Sequence, residues 1–379
     1  MGNVLNDILP NQCTGCFLCQ DVCNKKAIKI VLNEDGYYKP TMMEELCIGC
    51  GVCSKKCPAI NDIRCSSPLE PRAYAAWNSN EDVLKESSSG GFSYMIGEAF
   101  IRNSGVVYGV KWVDGKPIFG KAETIEQLAD FRGSKYLQPI ATGIYNEVKE
   151  SIQHGQSVLF FGLPCHIRAL KNYVTSNKLI TVDILCAGIP SLLLWDGYCK
   201  WKFGEKKITK VNFRSKERGW RTSIVKCYSG EEELLSEVNC KNRFFLGFNS
   251  TLFYNEACYN CKFNTLPRLG DITLGDYWGA PKNLDNKDGV SIVLANTKVG
   301  IDLITTLNMK DLVIYDISLK SALAGNYRIN HDHRDMPEYR GEALMMLKEN
   351  DFKKCSDKFF KPKTLGTKII RKIKRLLCK

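Results

Sequence analysis

The chain opens with one cysteine pattern written twice: Cys13, Cys16, Cys19 and Cys23, then Cys47, Cys50, Cys53 and Cys57. Each copy reads C-x2-C-x2-C-x3-C. At that spacing a tight loop points three thiolates at one iron–sulfur cube while the fourth reaches a second cube. Cross-ligation follows, with Cys13, Cys16, Cys19 and Cys57 on one [4Fe-4S] cluster and Cys47, Cys50, Cys53 and Cys23 on the other. Zinc sites take their ligands as pairs, so triplets with a trailing fourth fit zinc and disulfide frameworks poorly. The N-terminus reads as an electron wire, a bacterial-type 2[4Fe-4S] ferredoxin module.

With 379 residues, 44% of them hydrophobic, the chain has material for two or three packed domains. No apolar run approaches the 18 residues of a membrane span. Met1–Pro10 carries Asp7 and no basic n-region, so no secretory signal is expected. A cytoplasmic place suits a chain with free thiols and cluster ligands. The net charge of +12 would suit nucleic acid if it were spread over one face, but its distribution argues against that partner. Lys361, Lys363, Lys368, Arg371, Lys372, Lys374, Arg375 and Lys379 crowd the end without an acid among them. Leu365, Ile369, Ile370, Ile373, Leu376 and Leu377 recur there at three- and four-residue intervals. Such a segment is either an amphipathic helix lying on the inner face of an anionic membrane, a peripheral contact, or a solvated basic tail.

Four units are expected: a ferredoxin-type domain at 1–60, a linker at 61–72, a larger mixed α/β domain at 73–345 (parts 73–150 and 151–345), and a basic amphipathic tail at 346–379. The fold class is α+β. In the first unit, Ala27–Val31 and Tyr37–Pro40 read as strands joined by Asn33-Glu34-Asp35-Gly36, a hairpin signal. In the larger unit, strands at Val106–Val110, Ser157–Phe161 and Leu179–Leu185 alternate with helices at Thr142–Gln153, Ile167–Tyr173 and Pro190–Trp201. That order calls for parallel strands. Further strands are expected at Val211–Phe213, Ser223–Tyr228, Asp271–Leu274 and Ser291–Asn296.

Ser87-Ser88-Ser89-Gly90-Gly91 precedes an apolar helical run from Phe92. Small residues at a helix start either surround a phosphate with backbone N–H groups or simply cap the helix. No Walker A or G-x-G-x-x-G sequence occurs. Cys165 and Cys186 each follow a strand expected in the parallel sheet, so both thiols fall in the crevice beyond the strands' carboxyl ends. Cys258 and Cys261 could supply two more ligands, which would make a third [4Fe-4S] cluster. A low-pKa thiol at Cys165, a zinc knot and inert buried thiols are the alternatives. His331-Asp332-His333 lies in a polar run and reads as a solvated loop.

Phe131-Arg132-Gly133-Ser134-Lys135-Tyr136, Gly162-Leu163-Pro164-Cys165, Asp183-Ile184-Leu185-Cys186, Phe213-Arg214-Ser215-Lys216 with Gly219-Trp220, Cys258-x-x-Cys261-Lys262-Phe263, and Gly270 to Gly279 occur in that order. As a set they resemble the family of coenzyme F420 hydrogenase/dehydrogenase beta subunits. The resemblance implies a flavin-binding domain holding FAD, which exchanges hydride with a deazaflavin coenzyme and single electrons with iron–sulfur clusters. It also implies that Ser87, Ser88, Ser89, Gly90, Gly91, Ser134, Lys135 and Tyr136 contact the flavin or its phosphates. Cys165, Cys186, Cys258 and Cys261 would be the family's cluster ligands. Members of this layout include proteins associated with surface polysaccharide synthesis, so the acceptor need not be coenzyme F420. His166 and Leu163 stand where the family often has Gln and Thr, which alters the pocket wall.

The expected function is thus an iron–sulfur flavoprotein oxidoreductase working with a redox partner protein or a soluble coenzyme. Its rival is a non-catalytic electron-transfer subunit that docks a separate reductase. Lys135, Arg168, Arg214 and Arg218 are candidates for acidic parts of flavin or substrate.

Overall fold

The computed structural model describes residues 2–61, 70–306, 309–326, 329 and 335–360. Its centre is an eight-stranded sheet in the order β13-β3-β12-β11-β7-β6-β4-β5. The strands are β3 (Arg72–Asn78), β4 (Val106–Val113), β5 (Lys116–Ala122), β6 (Val158–Gly162), β7 (Leu179–Ile184), β11 (Ile272–Asp276), β12 (Ser291–Ala295) and β13 (Leu312–Ile317). β4, β6, β7 and β11 run parallel, and the flanking strands are antiparallel. Fold class thus stands as a mixed α/β sheet behind an N-terminal ferredoxin-type part.

The middle strands are nearly continuous in apolar residues because both faces are covered. Tyr108 and Phe160 point to one side, against helices Ile144–Gln153 and Pro164–Tyr173. Val107 and Leu159 point to the other, against Phe92 and Ile96 of helix Phe92–Arg102 and Leu303 of helix Lys298–Thr306. A three-stranded antiparallel sheet, β8 (Lys210–Ser215), β9 (Ile224–Ser229) and β10 (Glu232–Val238), packs separately on an aromatic core of Trp195, Tyr198, Phe213, Phe244 and Phe245.

The N-terminal part folds around the hairpin β1 (Ile28–Leu32) and β2 (Tyr38–Met42), as its turn sequence predicts. It is not an independent bead. Val4, Phe17, Leu18 and Ile28 share one hydrophobic cluster with Tyr108, Tyr145, Phe160 and Ile167 of the larger part. Polar joints reinforce that seam. The Tyr37 hydroxyl donates to the carbonyls of Phe253 (2.9 Å) and Tyr254 (3.1 Å), and Lys39 Nζ donates to Cys13 O and Asn255 Oδ1.

The boundary expected at 346 moves. Helix Arg340–Lys348 runs through it, and helix Phe352–Phe359 puts Phe352 and Cys355 into the aromatic core beside Trp195 and Phe244. Lys348, Lys353, Lys354 and Lys358 make residues 346–360 look like tail, yet the apolar face of the second, amphipathic helix is buried. The basic segment 361–379, the His331-Asp332-His333 run and most of the expected linker lie outside the described residues. Among the described residues no helix is long and apolar enough to cross a membrane.

Candidate functional site

The first cysteine set converges. Cys13, Cys16, Cys19 and Cys57 line one cavity, closed by Val4, Ile8, Phe17, Ile30 and Pro40. Gly15, with φ +66°, turns the loop so that successive thiols face inward; a Cβ there would meet the Gln138 side chain at 2.3 Å and the Tyr38 carbonyl at 2.6 Å. Burial pushes the Cys16 thiol up to about 12, with the Cys57 charge adding to the effect. Cys57 is buried and the other three are half-buried; thiolates gathered in this way are costly unless a cationic core takes their charge, so the donor set fits an iron–sulfur cube.

The second set is nearer the surface. Cys50 is exposed, Cys47 and Cys23 are half-buried and Cys53 is buried. Ile48 beside them is 61% exposed. The sulfurs of Cys53 and Cys23 accept backbone N–H bonds from Val4 and Ala27, both at 3.3 Å, the kind of contact that stabilises sulfur ligands of a cluster.

The third set lies where the parallel strands place it. Gly162 of β6 pairs with Asp183 of β7, so Cys165 and Cys186 follow the carboxyl ends of neighbouring strands. Cys165 opens helix Pro164–Tyr173, and Cys258 ends the short helix Glu256–Cys258. The electrostatic neighbours of Cys165 are Cys186, Cys261, Cys16 and Cys258. Desolvation pushes thiols of this set upward: Cys165 well above its usual value, Cys258 strongly and Cys261 less so. A low-pKa nucleophile at Cys165 is therefore at odds with its surroundings. Among the described residues no group of three or more Cys, His, Asp or Glu is close enough to hold a single metal ion. A four-iron cube sets its ligands further apart than one ion does.

Cys16 also belongs to the neighbourhood of Cys165, and Tyr145 stands at the junction. Its hydroxyl donates to Cys16 O at 2.6 Å, and burial followed by the charges of Cys16 and Cys165 holds its proton on. Asp21, between Cys19 and Cys23, accepts from Gly143 N (2.8 Å) and Tyr145 N (3.0 Å), capping helix Ile144–Gln153 from the other module. Gln138, 2% exposed, donates to Gly15 O and accepts from Tyr38 N. Sequence reasoning does not find Asp21, Gln138 and Tyr145, since nothing local marks a residue whose partner lies more than a hundred positions away.

The serine–glycine loop sits at the same edge of the sheet. Gly91 (φ +81°) leads into helix Phe92–Arg102. Gly90 N donates to Ser291 Oγ, and Ser89 Oγ to Val290 O. Ser88 Oγ accepts from Ser134 N at 2.7 Å, which joins the two segments expected at the cofactor. Ser87 Oγ donates to Val83 O. Lys135 Nζ donates to the carbonyls of Asp130, Phe131 and Arg132, tying off the turn after helix Ile125–Ala129. Tyr136 stacks edge-on against Phe213, Phe245 and Phe248, so its ring serves the core. Arg214 pairs with Asp276 at 2.7 Å in a buried position, and Arg168 is fully buried. Arg218 instead lines an open depression with Arg221, Lys282 and Lys287.

Two side chains beside the loop face no protein partner that uses them fully. Arg132 lies 3.9 Å over the ring of Tyr94, in the first turn of helix Phe92–Arg102, and its buried Nε has no hydrogen-bond partner among the described residues. Trp278, 38% exposed, stacks on buried Trp220 at 4.6 Å.

Two expected outcomes follow from the loop. A Cβ on Gly90 would sit 2.2 Å from Ala76 O and 2.7 Å from Ser291 N, so Gly90→Ala should cost about 1–3 kcal/mol, read as a lowered Tm. Lys216 Nζ donates to Leu84 O and Ser89 O, and burial, followed by Arg214, lowers its pKa to about 7. Above that pH the unfolded chain still binds a proton here that the folded chain does not. The difference in unfolding free energy between wild type and Lys216→Met should therefore rise with pH from about 7 towards the ordinary lysine value, in denaturant titrations across that range.

The tandem cysteines carry the ligand pattern of a two-cluster iron–sulfur domain, and the comparisons with known proteins agree for that part. Residues 12–60 match the 4Fe-4S dicluster domain, and residues 155–317 match the family described as the C terminus of the beta subunit of coenzyme F420 hydrogenase/dehydrogenase. Over residues 155–317 the chain is thus similar to that family, with a matched two-cluster ferredoxin domain in front. It is 23% identical over 191 residues to a subunit of F(420)H(2) dehydrogenase from Methanosarcina mazei, 46% of this chain and 53% of that protein. Over 50 residues it is 40% identical to the ferredoxin-type protein NapF of Escherichia coli, 13% of this chain and 30% of NapF. The chain therefore spans about half the length of the first relative and under a third of the second. A chain of the F420-reducing [NiFe] hydrogenase complex from Methanosarcina barkeri superposes with a TM-score of 0.48 at 15% identity, covering 76% of this chain and 91% of that one.

Proposed function

We propose that the chain is an iron–sulfur flavoprotein oxidoreductase in which electrons pass from the exposed cysteine set, through the set around Cys16, to the set around Cys165, and on to a flavin at the Ser87–Gly91 edge. The observation that carries it is the electrostatic adjacency of Cys16 and Cys165 across one sealed joint. Cys13, Cys16, Cys19 and Cys57 would hold one cluster, Cys47, Cys50, Cys53 and Cys23 the second, and Cys165, Cys186, Cys258 and Cys261 a third. When bound, clusters pass one electron at a time and a flavin converts single electrons to a hydride.

The chain's own residues supply alignment and charge. Gln138, Tyr145 and Asp21 fix the Cys16 loop on the larger part. Ser88 and Ser134 hold the two loop segments together, and the helix start at Phe92 with the unpartnered Nε of Arg132 suits an anionic phosphate. Trp278 offers an exposed ring face to a flat substrate. The acceptor is a deazaflavin-like coenzyme or another organic substrate, and FAD is the flavin proposed.

The rival, a non-catalytic electron-transfer subunit, draws on the serine hydroxyls and Lys135 being spent within the fold. The two part on one experiment. Anaerobically reconstituted protein, desalted after incubation with FAD, should retain flavin absorbance that bleaches when the clusters are reduced, and Arg132→Met should lose it. Wild-type protein that retains no flavin leaves the electron-transfer role.

A further inference from the structure

The most deeply buried ion pair among the described residues stands beside the third cysteine set and holds no part of the Cys16 joint. Arg268 and Asp183 side chains are both 0% exposed. Arg268 donates to Asp183 Oδ1 from Nε at 3.3 Å and from Nη2 at 2.9 Å, while Asp183 Oδ2 takes Gly270 N at 2.9 Å. The third guanidinium nitrogen, Nη1, donates to Asn264 Oδ1 at 3.1 Å, and Asn264 Nδ2 donates to Cys186 O at 3.2 Å. Asp183 precedes Cys186 by three residues and Asn264 follows Cys261 by three. The network therefore clips the two cysteine loops together.

Apolar side chains of similar volume would hold two loops at less cost, because burying an ion pair spends solvation that the pair seldom recovers. What apolar residues would not supply is a fixed charge. The field of Arg268 reaches the Cys261 sulfur, which also receives the N–H groups of Phe263 and Asn264. Cys165, by contrast, is surrounded by other thiols. Lys39 is a second cation, acting on the Cys258 corner from the ferredoxin module.

We infer that Arg268 is a positioning residue that raises the reduction potential of the centre held by Cys165, Cys186, Cys258 and Cys261, by keeping a positive charge at its Cys261 corner and fixing the Cys186 loop through Asn264. This rests on the reading of that set as a cluster. Reduction adds one electron and so one negative charge, which a neighbouring cation favours, and cluster potentials respond to net charge and hydrogen bonding around the sulfurs.

The test is an EPR-monitored redox titration of the full chain, reconstituted anaerobically, as wild type, Arg268→Gln, Arg268→Lys and the double variant Arg268→Gln/Asp183→Asn. Arg268→Gln should move the third midpoint to more negative potential while the two tandem midpoints stay in place. Arg268→Lys, which keeps the charge, should remain near wild type. The double variant leaves no unpaired buried charge and should show a smaller shift of the same sign. A third midpoint unchanged in both neutral variants, or a double variant that fails to assemble the centre at all, overturns the inference. Wild type with only about eight irons would instead overturn the cluster reading beneath it.

Discussion

In a chain carrying Cys165→Ser and Cys186→Ser, iron is expected to fall by about four atoms per chain while the tandem clusters remain reducible. Electrons given to those clusters should then stop short of the proposed flavin. The two serines remove one ligand from each of two neighbouring strand ends, β6 and β7, and leave both helices and the sheet intact. Both positions are only half-buried, so the loss of two sulfur atoms does not empty the main core. Iron and sulfide assays with EPR of the reduced protein read the first effect, and flavin bleaching in stopped flow reads the second. Cys199 is the matched control: its thiol is half-buried against the aromatic core and belongs to none of the three sets, so Cys199→Ser should leave iron unchanged.

Asp21→Ala should lower stability by about 0.5–2 kcal/mol, the usual cost of losing a helix cap, and slow electron passage between the Cys16 and Cys165 sets. The carboxylate receives two backbone N–H groups at the start of helix Ile144–Gln153, and the same helix carries Tyr145 onto Cys16 O. Losing it frees both sides of the joint together. Tyr145→Phe removes only the hydroxyl bond and should give the smaller effect in both measurements. Thermal unfolding reads the first quantity. Rapid reduction of the clusters followed by the appearance of reduced flavin reads the second.

The pieces of this site are legible in the sequence to different degrees, for physical reasons. The tandem cysteines declare themselves by spacing because ligands to a cube come from one tight loop. The parallel-strand rule places Cys165 and Cys186, and β6 and β7 run side by side as that rule requires. β3 is not legible: its Ala73-Tyr74-Ala75-Ala76 run has weak strand preference, and pairing with β12 and β13 on either side, with core packing on both faces, holds it. Helix Arg243–Ser250 escapes notice because Phe244, Phe245, Gly247 and Phe248 are poor helix formers that tertiary packing overrides.

Side-chain tasks are harder to read than positions. Lys135 and Arg214 stand in the expected segments, but one ties off a turn and the other neutralises Asp276. Arg132, in the same Phe131–Tyr136 run, is the basic residue left with an unsatisfied nitrogen, and only geometry separates it from its neighbours. The joint of Asp21, Gln138 and Tyr145 leaves no local trace, because each partner is distant in sequence and ordinary in type.

The proposed function requires three clusters and a flavin in this one chain. Anaerobic purification of the full chain, with iron, acid-labile sulfide and flavin quantified in the same sample, tests it most directly. About twelve irons, a similar amount of sulfide and about one flavin per chain are the expected result. About eight irons without flavin would contradict it, leaving a two-cluster ferredoxin joined to a domain that carries no redox centre of its own.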